Sequence, residues 1–217
     1  MISIDKIYVL NLQRRLDRRL HIQNEFTKSN RLNNSYEIFT AVDGNLIDSN
    51  GSHDIITIDA LSRINNPSDH EYGLHFNTGS LAILYSYMNL CSEAETNQHT
   101  YLIFEDDITI SDTFDSDLQL IQNELPEDFD LCYLGYCVGS DCKFEPYTDN
   151  LVIPKGQLNC LYGFLLSPIG AKKIMQMKPF EYQIDTQLYL NFNNMKVFCA
   201  NNKLVNCNQE FSSDGQI

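Results

Sequence analysis

The chain has 217 residues, and 29 Asp and Glu against 15 Lys and Arg set its net charge at −14. A pI near 4.6 excludes nucleic acid and anionic membrane as main partners, because both demand a basic face. Hydrophobic residues at 43% and charged residues at 20% exclude a disordered chain, and the length suits one domain across 1–217 that needs no disulfide or metal staple.

Lys6 to Leu12 is an apolar run that predicts a buried strand, followed by a helix from Arg15 to Asn30 with Leu16, Leu20 and Phe26 toward one side. Tyr36 to Thr40 is a second short strand, closed by the turn signal Val42-Asp43-Gly44. Residues 45–72 are polar and weakly patterned and predict a loop with at most a short strand at Ile55 to Ile58. Thr78 is placed to cap a helix in which Leu81, Leu84, Tyr85 and Met88 fall at i, i+3, i+4 and i+7. Thr100 to Phe104 is a compact apolar strand that runs into Glu105-Asp106-Asp107. Leu118, Ile121 and Leu125 line one face of a helix stopped by Pro126, and Leu131 to Gly135 is a further strand. Residues 136–157 read as an irregular excursion, Leu158 to Leu166 as a strand, and Pro168 as the first turn of a helix. Tyr182 to Asn193 is predicted helical, and Val197 to Ala200 is predicted to close the sheet. Strands alternating with helices predict an α/β fold with a mostly parallel, Rossmann-like central sheet flanked by helices.

No stretch approaches the ~20 apolar residues that span a bilayer. The start of the chain lacks a signal peptide's apolar core, so the expectation is a cytoplasmic chain with no membrane insertion. The seven cysteines include no CxxC and predict reduced core thiols.

The charge is unevenly spread. Seven of the fifteen basic residues lie between Lys6 and Arg31, whereas Ile64 to Cys142 holds fifteen acids and no Lys or Arg. Within that span, an apolar strand followed at once by Glu105-Asp106-Asp107 is the most chemical feature. Ligands of open α/β sheets collect beyond the carboxyl ends of strands, and acids at i and i+2 around such a turn can share one hard cation. Acids after strands also serve as turn formers and helix caps. Glu105-x-Asp107-x-Thr109 also approaches the DxDxT motif of haloacid-dehalogenase-type phosphatases, with Glu105 where that family attacks through Asp.

Taken together, these segments resemble glycosyltransferase family 25, the lipooligosaccharide and procollagen galactosyltransferase group. Ile7 to Leu12 followed by Arg14, Arg15 and Arg18 is similar to the family's opening strand with spaced arginines, and Phe39 to Gly44 to its A-x-D-G turn. Leu102 to Ile108 is similar to its LILEDDV strand, Asp130 to Gly135 to its D-x-x-Y-L-G segment, and Leu161 to Ser167 with Gly170-Ala171 to its Y-x-x-S-x-x-G-A segment. Asp185 and Ser213-Asp214 fall where later family acids stand. Gly73 and Ser80 fit the G-x-x-G-C-x-x-S-H segment, but Phe76, Asn77 and Leu81 replace its Gly, Cys and His; His75 lies nearby.

The resemblance implies a GT-A-like domain that moves a hexose, galactose or glucose, from a UDP-sugar to a glycan or to hydroxylysine in a basic, collagen-like peptide, with inversion at the anomeric carbon. It implies Mn²⁺ or Mg²⁺ on Glu105, Asp107 and Asp214. Donor contacts are expected from Asn11, Arg14, Arg18, Asp43, Ser80 and Asp106. Asp185 is the first candidate base, Asp130 the second and Asp214 the third, although Asp185 alone reads equally well as a helix-surface acid. Two other readings stand: a family-25-like binding module without activity, supported by the missing His at Leu81, and a phosphatase using Asp107.

Overall fold

The computed structural model describes residues 1–65 and 76–211. Among these residues ten strands and six helices follow in the order β1 (Lys6–Asn11), α1 (Leu16–Phe26), β2 (Glu37–Thr40), α2 (Ile58–Asn65), α3 (Thr78–Asn97), β3 (Tyr101–Glu105), β4 (Ile108–Ile110), α4 (Phe114–Glu124), β5 (Leu131–Val138), β6 (Lys143–Pro146), β7 (Leu151–Lys155), β8 (Leu158–Leu166), α5 (Pro168–Met175), α6 (Ile184–Leu190), β9 (Val197–Ala200) and β10 (Val205–Cys207). Eight strands form one sheet in the order β2-β1-β3-β8-β5-β9-β7-β6, while β10 pairs with β4 in a small second sheet.

The main sheet is α/β and GT-A-like, with mixed pairing. Strands β2, β1 and β3 are mutually parallel, as are β5 and β9, whereas β8 runs antiparallel to both β3 and β5. The physical reason lies in residues 136–157, which are not irregular. Strand β5 runs on to Val138, and β6 and β7 form an antiparallel hairpin before the chain returns as β8. A parallel return beside β5 would need a crossover element of a dozen or more residues, usually a helix, and this segment has none. Strand β9 lies inside the sheet between β5 and β7, so it does not close it.

Side chains alternate between two buried layers, as a sheet covered on both faces requires. Tyr8, Tyr101, Ile103, Leu131 and Tyr133 face a layer built with Leu84, Leu90, Ala171, Ile174 and Leu188 of α3, α5 and α6. Val9, Leu102, Phe104, Cys132 and Leu134 face the other layer, built with Ile22 and Phe26 of α1 and Leu118 and Ile121 of α4. No helix among the described residues is long and apolar enough to cross a membrane.

Three local expectations change. Helix α1 turns Arg18, Ile22, Glu25 and Phe26 inward, leaving Leu16 65% and Leu20 59% exposed. The two charged residues tolerate burial because each has partners: Arg18 meets Asp106 and Asp107, and Glu25 accepts from the Ile110 N–H at 2.9 Å and from Lys28. Residues 58–65 form α2 where a loop was expected, and Ile56 makes only an isolated bridge to Phe180. Asn77, not Thr78, caps α3: its side chain accepts from the Ser80 N–H at 2.7 Å while Ser80 Oγ accepts from the Asn77 N–H at 2.8 Å.

Candidate active site

Because β1 and β3 are parallel neighbours with Leu10 opposite Glu105, both deliver their carboxyl ends to one edge of the sheet. A cleft opens there. One wall is α3, where Gly79, Ala82 and Ser86 present small side chains beside Ile83; the other is Leu10, Leu12 and the turn Ala41-Val42-Asp43-Gly44. The walls are fixed to each other, since Ser86 Oγ accepts from the Val42 N–H at 2.9 Å. Gly44 is required at this junction: a Cβ there would come within 2.9 Å of the Gly79 Cα and the Thr78 carbonyl oxygen.

The floor is the acidic turn, whose three carboxylates differ in surroundings. Asp106 is 5% exposed and fully engaged, accepting from Asn11 Nδ2 and Arg18 Nη1, each at 2.7 Å. Asn11 is itself locked by its bond to the Arg15 carbonyl and by Arg19 Nε on its Oδ1. Asp107 Oδ2 lies 3.1 Å from Arg18, while its Oδ1 is buried with no hydrogen-bond partner among the described residues. Glu105 receives the Tyr87 hydroxyl at 3.2 Å. Burial, then the charges of Asp107, Asp106 and Asp185, push the Glu105 carboxyl up to about 8. Asp107 is also raised, by burial working against Arg18. From the far side, the Asn208 N–H donates to the Asp107 carbonyl at 2.6 Å, and the β4–β10 pair holds the turn in place. Strand β10 reaches it because Gly135 lacks a side chain: a Cβ would lie 2.4 Å from the Val205 carbonyl oxygen.

Asp185 opens α6, accepting from the Cys160 N–H at 3.3 Å and the Thr186 N–H at 2.8 Å. Burial raises its carboxyl, and its charge is felt at both Glu105 and Tyr87. The fold thus brings Glu105, Asp107 and Asp185 into one electrostatic group from two distant parts of the chain.

The remaining candidates divide. Arg14 and Asp43 line the cleft and pair with each other at 2.9 Å; the Asn45 N–H and Arg14 hold Asp43 below the usual carboxylate range. Arg18 also lines the cleft, but at 6% exposure its guanidinium is committed to Asp106 and Asp107. Asp106 lines the cleft with its oxygens engaged, and Asn11 sits behind it and sets its geometry. Ser80 is a buried capping residue outside the cleft lining. Asp130 precedes β5 at the opposite edge of the sheet, fully buried, where its Oδ2 pairs with Lys173 Nζ at 2.6 Å and accepts from the Lys196 N–H at 2.7 Å; this placement leaves it outside the cleft lining. Gly73, His75, Ser213 and Asp214 lie outside the described residues, and Leu81 is a fully buried core residue. Tyr162 donates or accepts at Cys137 Sγ, 3.1 Å away. Sequence reasoning missed Tyr87, whose hydroxyl touches Glu105, and the α3 wall. The spacing of Gly79, Ala82 and Ser86 on one helix face was the available signal.

Oxygen donors alone line the floor, which suits a hard divalent cation and not a soft one. Among the described residues no third His, Cys, Asp or Glu completes a metal-binding group with Glu105 and Asp107. Around the cleft, Glu105, Asp106, Asp107 and Asp43 outnumber Arg14 and Arg18. An anionic ligand therefore meets net repulsion unless a cation comes with it.

Residues 4–188 match the family described as glycosyltransferase family 25 (LPS biosynthesis protein). A "Glycosyltransferase 25 family member" of Aedes aegypti is 27% identical over 199 residues, covering 88% of this chain and 32% of its own length. "Procollagen galactosyltransferase 1" of Danio rerio is 25% identical over 195 residues, covering 87% of this chain and 31% of its own. The chain thus spans about a third of the length of these relatives. With the family match running through the cleft, the acidic turn and Asp185, the chain belongs to glycosyltransferase family 25.

Proposed function

We propose that this chain transfers a hexose, galactose or glucose, from a UDP-sugar to an acceptor hydroxyl with inversion, and that Glu105 and Asp107 hold Mn²⁺ or Mg²⁺ for the donor. The observation that carries it is the acidic floor: a buried Asp107 oxygen without a partner beside a Glu105 carboxyl raised by its neighbours. Two carboxylates that repel each other in a buried cleft form a cation site before they form a substrate site. When bound, the cation supplies the positive charge that the donor diphosphate needs.

The chain's own residues would then act as follows. Asn11 and Arg18 keep Asp106 turned away and Asp107 in place, and Tyr87 orients Glu105. The narrow wall of Gly79, Ala82 and Ser86 opposite Ala41 to Gly44 admits a flat nucleotide ring, with Arg14 at the mouth. As the bond from the anomeric carbon to the diphosphate oxygen breaks and the bond to the acceptor oxygen forms, Asp185 takes the acceptor proton. A carboxyl raised by burial is a better base near neutral pH than an exposed one. The excess of carboxylates around the cleft favours a basic acceptor such as a collagen-like peptide.

No observation favours a phosphatase, whose attacking Asp is replaced here by Glu105. Incubating the protein with UDP-galactose and UDP-glucose in Mn²⁺, with and without a hydroxylysine-containing peptide, tests the proposal. Release of UDP that rises with acceptor supports it. Phosphate release from p-nitrophenyl phosphate without any UDP release would overturn it.

A further inference from the structure

Cys137 on β5 and Cys160 on β8 lie beside the candidate site without a role in it. Their meeting follows from an irregularity in the ladder. Between the pairs Gly135–Gly163 and Cys137–Asn159, β5 advances two residues while β8 advances four, so Cys160, Leu161 and Tyr162 bulge opposite Tyr136 alone. Regular alternation would send the side chain of Cys160 to the face opposite that of Asn159 and Cys137. Instead Cys160 adopts φ of +65°, a left-handed conformation uncommon outside Gly and Asn, next to Asn159, the register partner of Cys137, whose Sγ lies 3.1 Å from the Tyr162 hydroxyl. Bulges of this kind re-aim side chains next to active sites, and strained residues persist where surrounding structure enforces them.

We propose that Cys137 and Cys160 are a modification site: a thiol pair that closes reversibly into a disulfide and, through the Cys160 N–H on Asp185, couples oxidation to the position of that carboxylate. Three observations support it beyond proximity. Both residues are half-buried, so a small reagent can reach them. The hydrogen bond from Cys160, opposed by burial and helped by Tyr162, pulls the Cys137 thiol down to about 6, whereas Cys160 is raised. A lowered thiol is the one that attacks in thiol–disulfide exchange. All seven cysteines are free thiols, and Cys91, Cys132 and Cys199 are buried away from reagents. With a small-molecule disulfide as oxidant, the Cys137 thiolate attacks one of its sulfurs and expels a thiolate. Cys160, losing its proton, then attacks Cys137 Sγ and expels the second, so two protein thiols are oxidised as one disulfide is reduced.

The test uses the full chain, reduced, desalted and incubated with oxidised glutathione, then alkylated and mapped by mass spectrometry. The expected result is one cross-link joining the peptides of Cys137 and Cys160, lighter by two hydrogens and reversed by dithiothreitol. It should persist in Cys207→Ser and vanish in Cys137→Ser and Cys160→Ser. A stable glutathione adduct on Cys137, or a cross-link to another cysteine, overturns the pair; the wild-type map alone decides this even if a variant folds poorly. The coupling to Asp185 rests on the proposed transferase activity. UDP release should fall by roughly tenfold or more on oxidation, part of the ~10²–10⁴-fold that a positioned base is worth. It should be insensitive to oxidant in Cys160→Ser. Unchanged release in a fully cross-linked protein overturns the coupling. Release absent in the reduced protein as well sinks the transferase reading, and the mapping result stands apart from it.

Discussion

The two ends of strands β1 and β3 handle charge in opposite ways. At the start of the strands, Glu93 receives Lys6 Nζ at 3.1 Å, Tyr8 at 2.7 Å and Tyr101 at 3.0 Å. Burial tends to raise its carboxyl, but these donors outweigh burial and hold it below the usual range. Asp130 at the same edge is charge-paired, with Lys173 and a backbone N–H on its Oδ2, although its Oδ1, like that of Asp107, is buried without a hydrogen-bond partner among the described residues. At the finish of the same strands, Glu105 is pushed up to about 8, and Asp107 keeps a buried oxygen without a partner. Matched charges hold a fold together, while unmatched ones in a cleft mark the place where something else is to bind.

The comparison breaks first at Asp107. Asp107→Ala should lower UDP release by roughly 10²–10³-fold, the scale seen when one group that stabilises developing charge is removed. Its fold should survive, because the lost carboxylate was under-satisfied; the same melting temperature as wild type in metal-free buffer checks this. Little loss of UDP release would move the site away from the acidic turn. Next comes Arg18→Met, which leaves Asp106 and Asp107 buried without their cation and should cost ~3–5 kcal/mol in denaturant unfolding. A cost near zero would show that Arg18 is a ligand contact and not the support of the floor.

The pH dependence sharpens the contrast, because the two ends have opposite signs. The folded carboxyl of Glu105 titrates near 8 against an ordinary 4.5, so the folded state holds an extra proton between those values. Its favourable effect is present below about 4.5 and is lost as pH rises through 8. Glu93 is lowered, so its contribution is present above 4.5 and is lost as pH falls through its folded value. Metal-free protein should therefore melt at lower temperature at pH 8 than at pH 6, and Glu105→Gln should flatten that slope. Glu93→Gln is the smallest effect: about 1 kcal/mol of stability from weakened hydrogen bonds, with UDP release unchanged.

How much of this was legible in the sequence depends on how local the cause was. The strand Thr100 to Phe104 and the acidic turn are written in contiguous residues, and so are the Val42-Asp43-Gly44 turn and the family resemblance confirmed over residues 4–188. The inward face of α1 was not, because an apolar count favours Leu16 and Leu20. Arg18 is buried only by virtue of two carboxylates nearly ninety positions away. Asp130 and Asp107 both border apolar strands, and nothing local distinguishes the one that meets a lysine from the one that does not. The hairpin in 136–157 was hidden by Pro and Gly, which it tolerates at the sheet edge, where β6 and its turn leave backbone groups open to solvent.

The most direct test is calorimetric titration of UDP into the purified chain with and without Mn²⁺. An acidic cleft that repels a diphosphate until a cation joins it predicts binding in Mn²⁺, loss of that binding on chelation and in Asp107→Ala, and no change in Glu93→Gln. UDP binding of equal affinity without any divalent cation would contradict it.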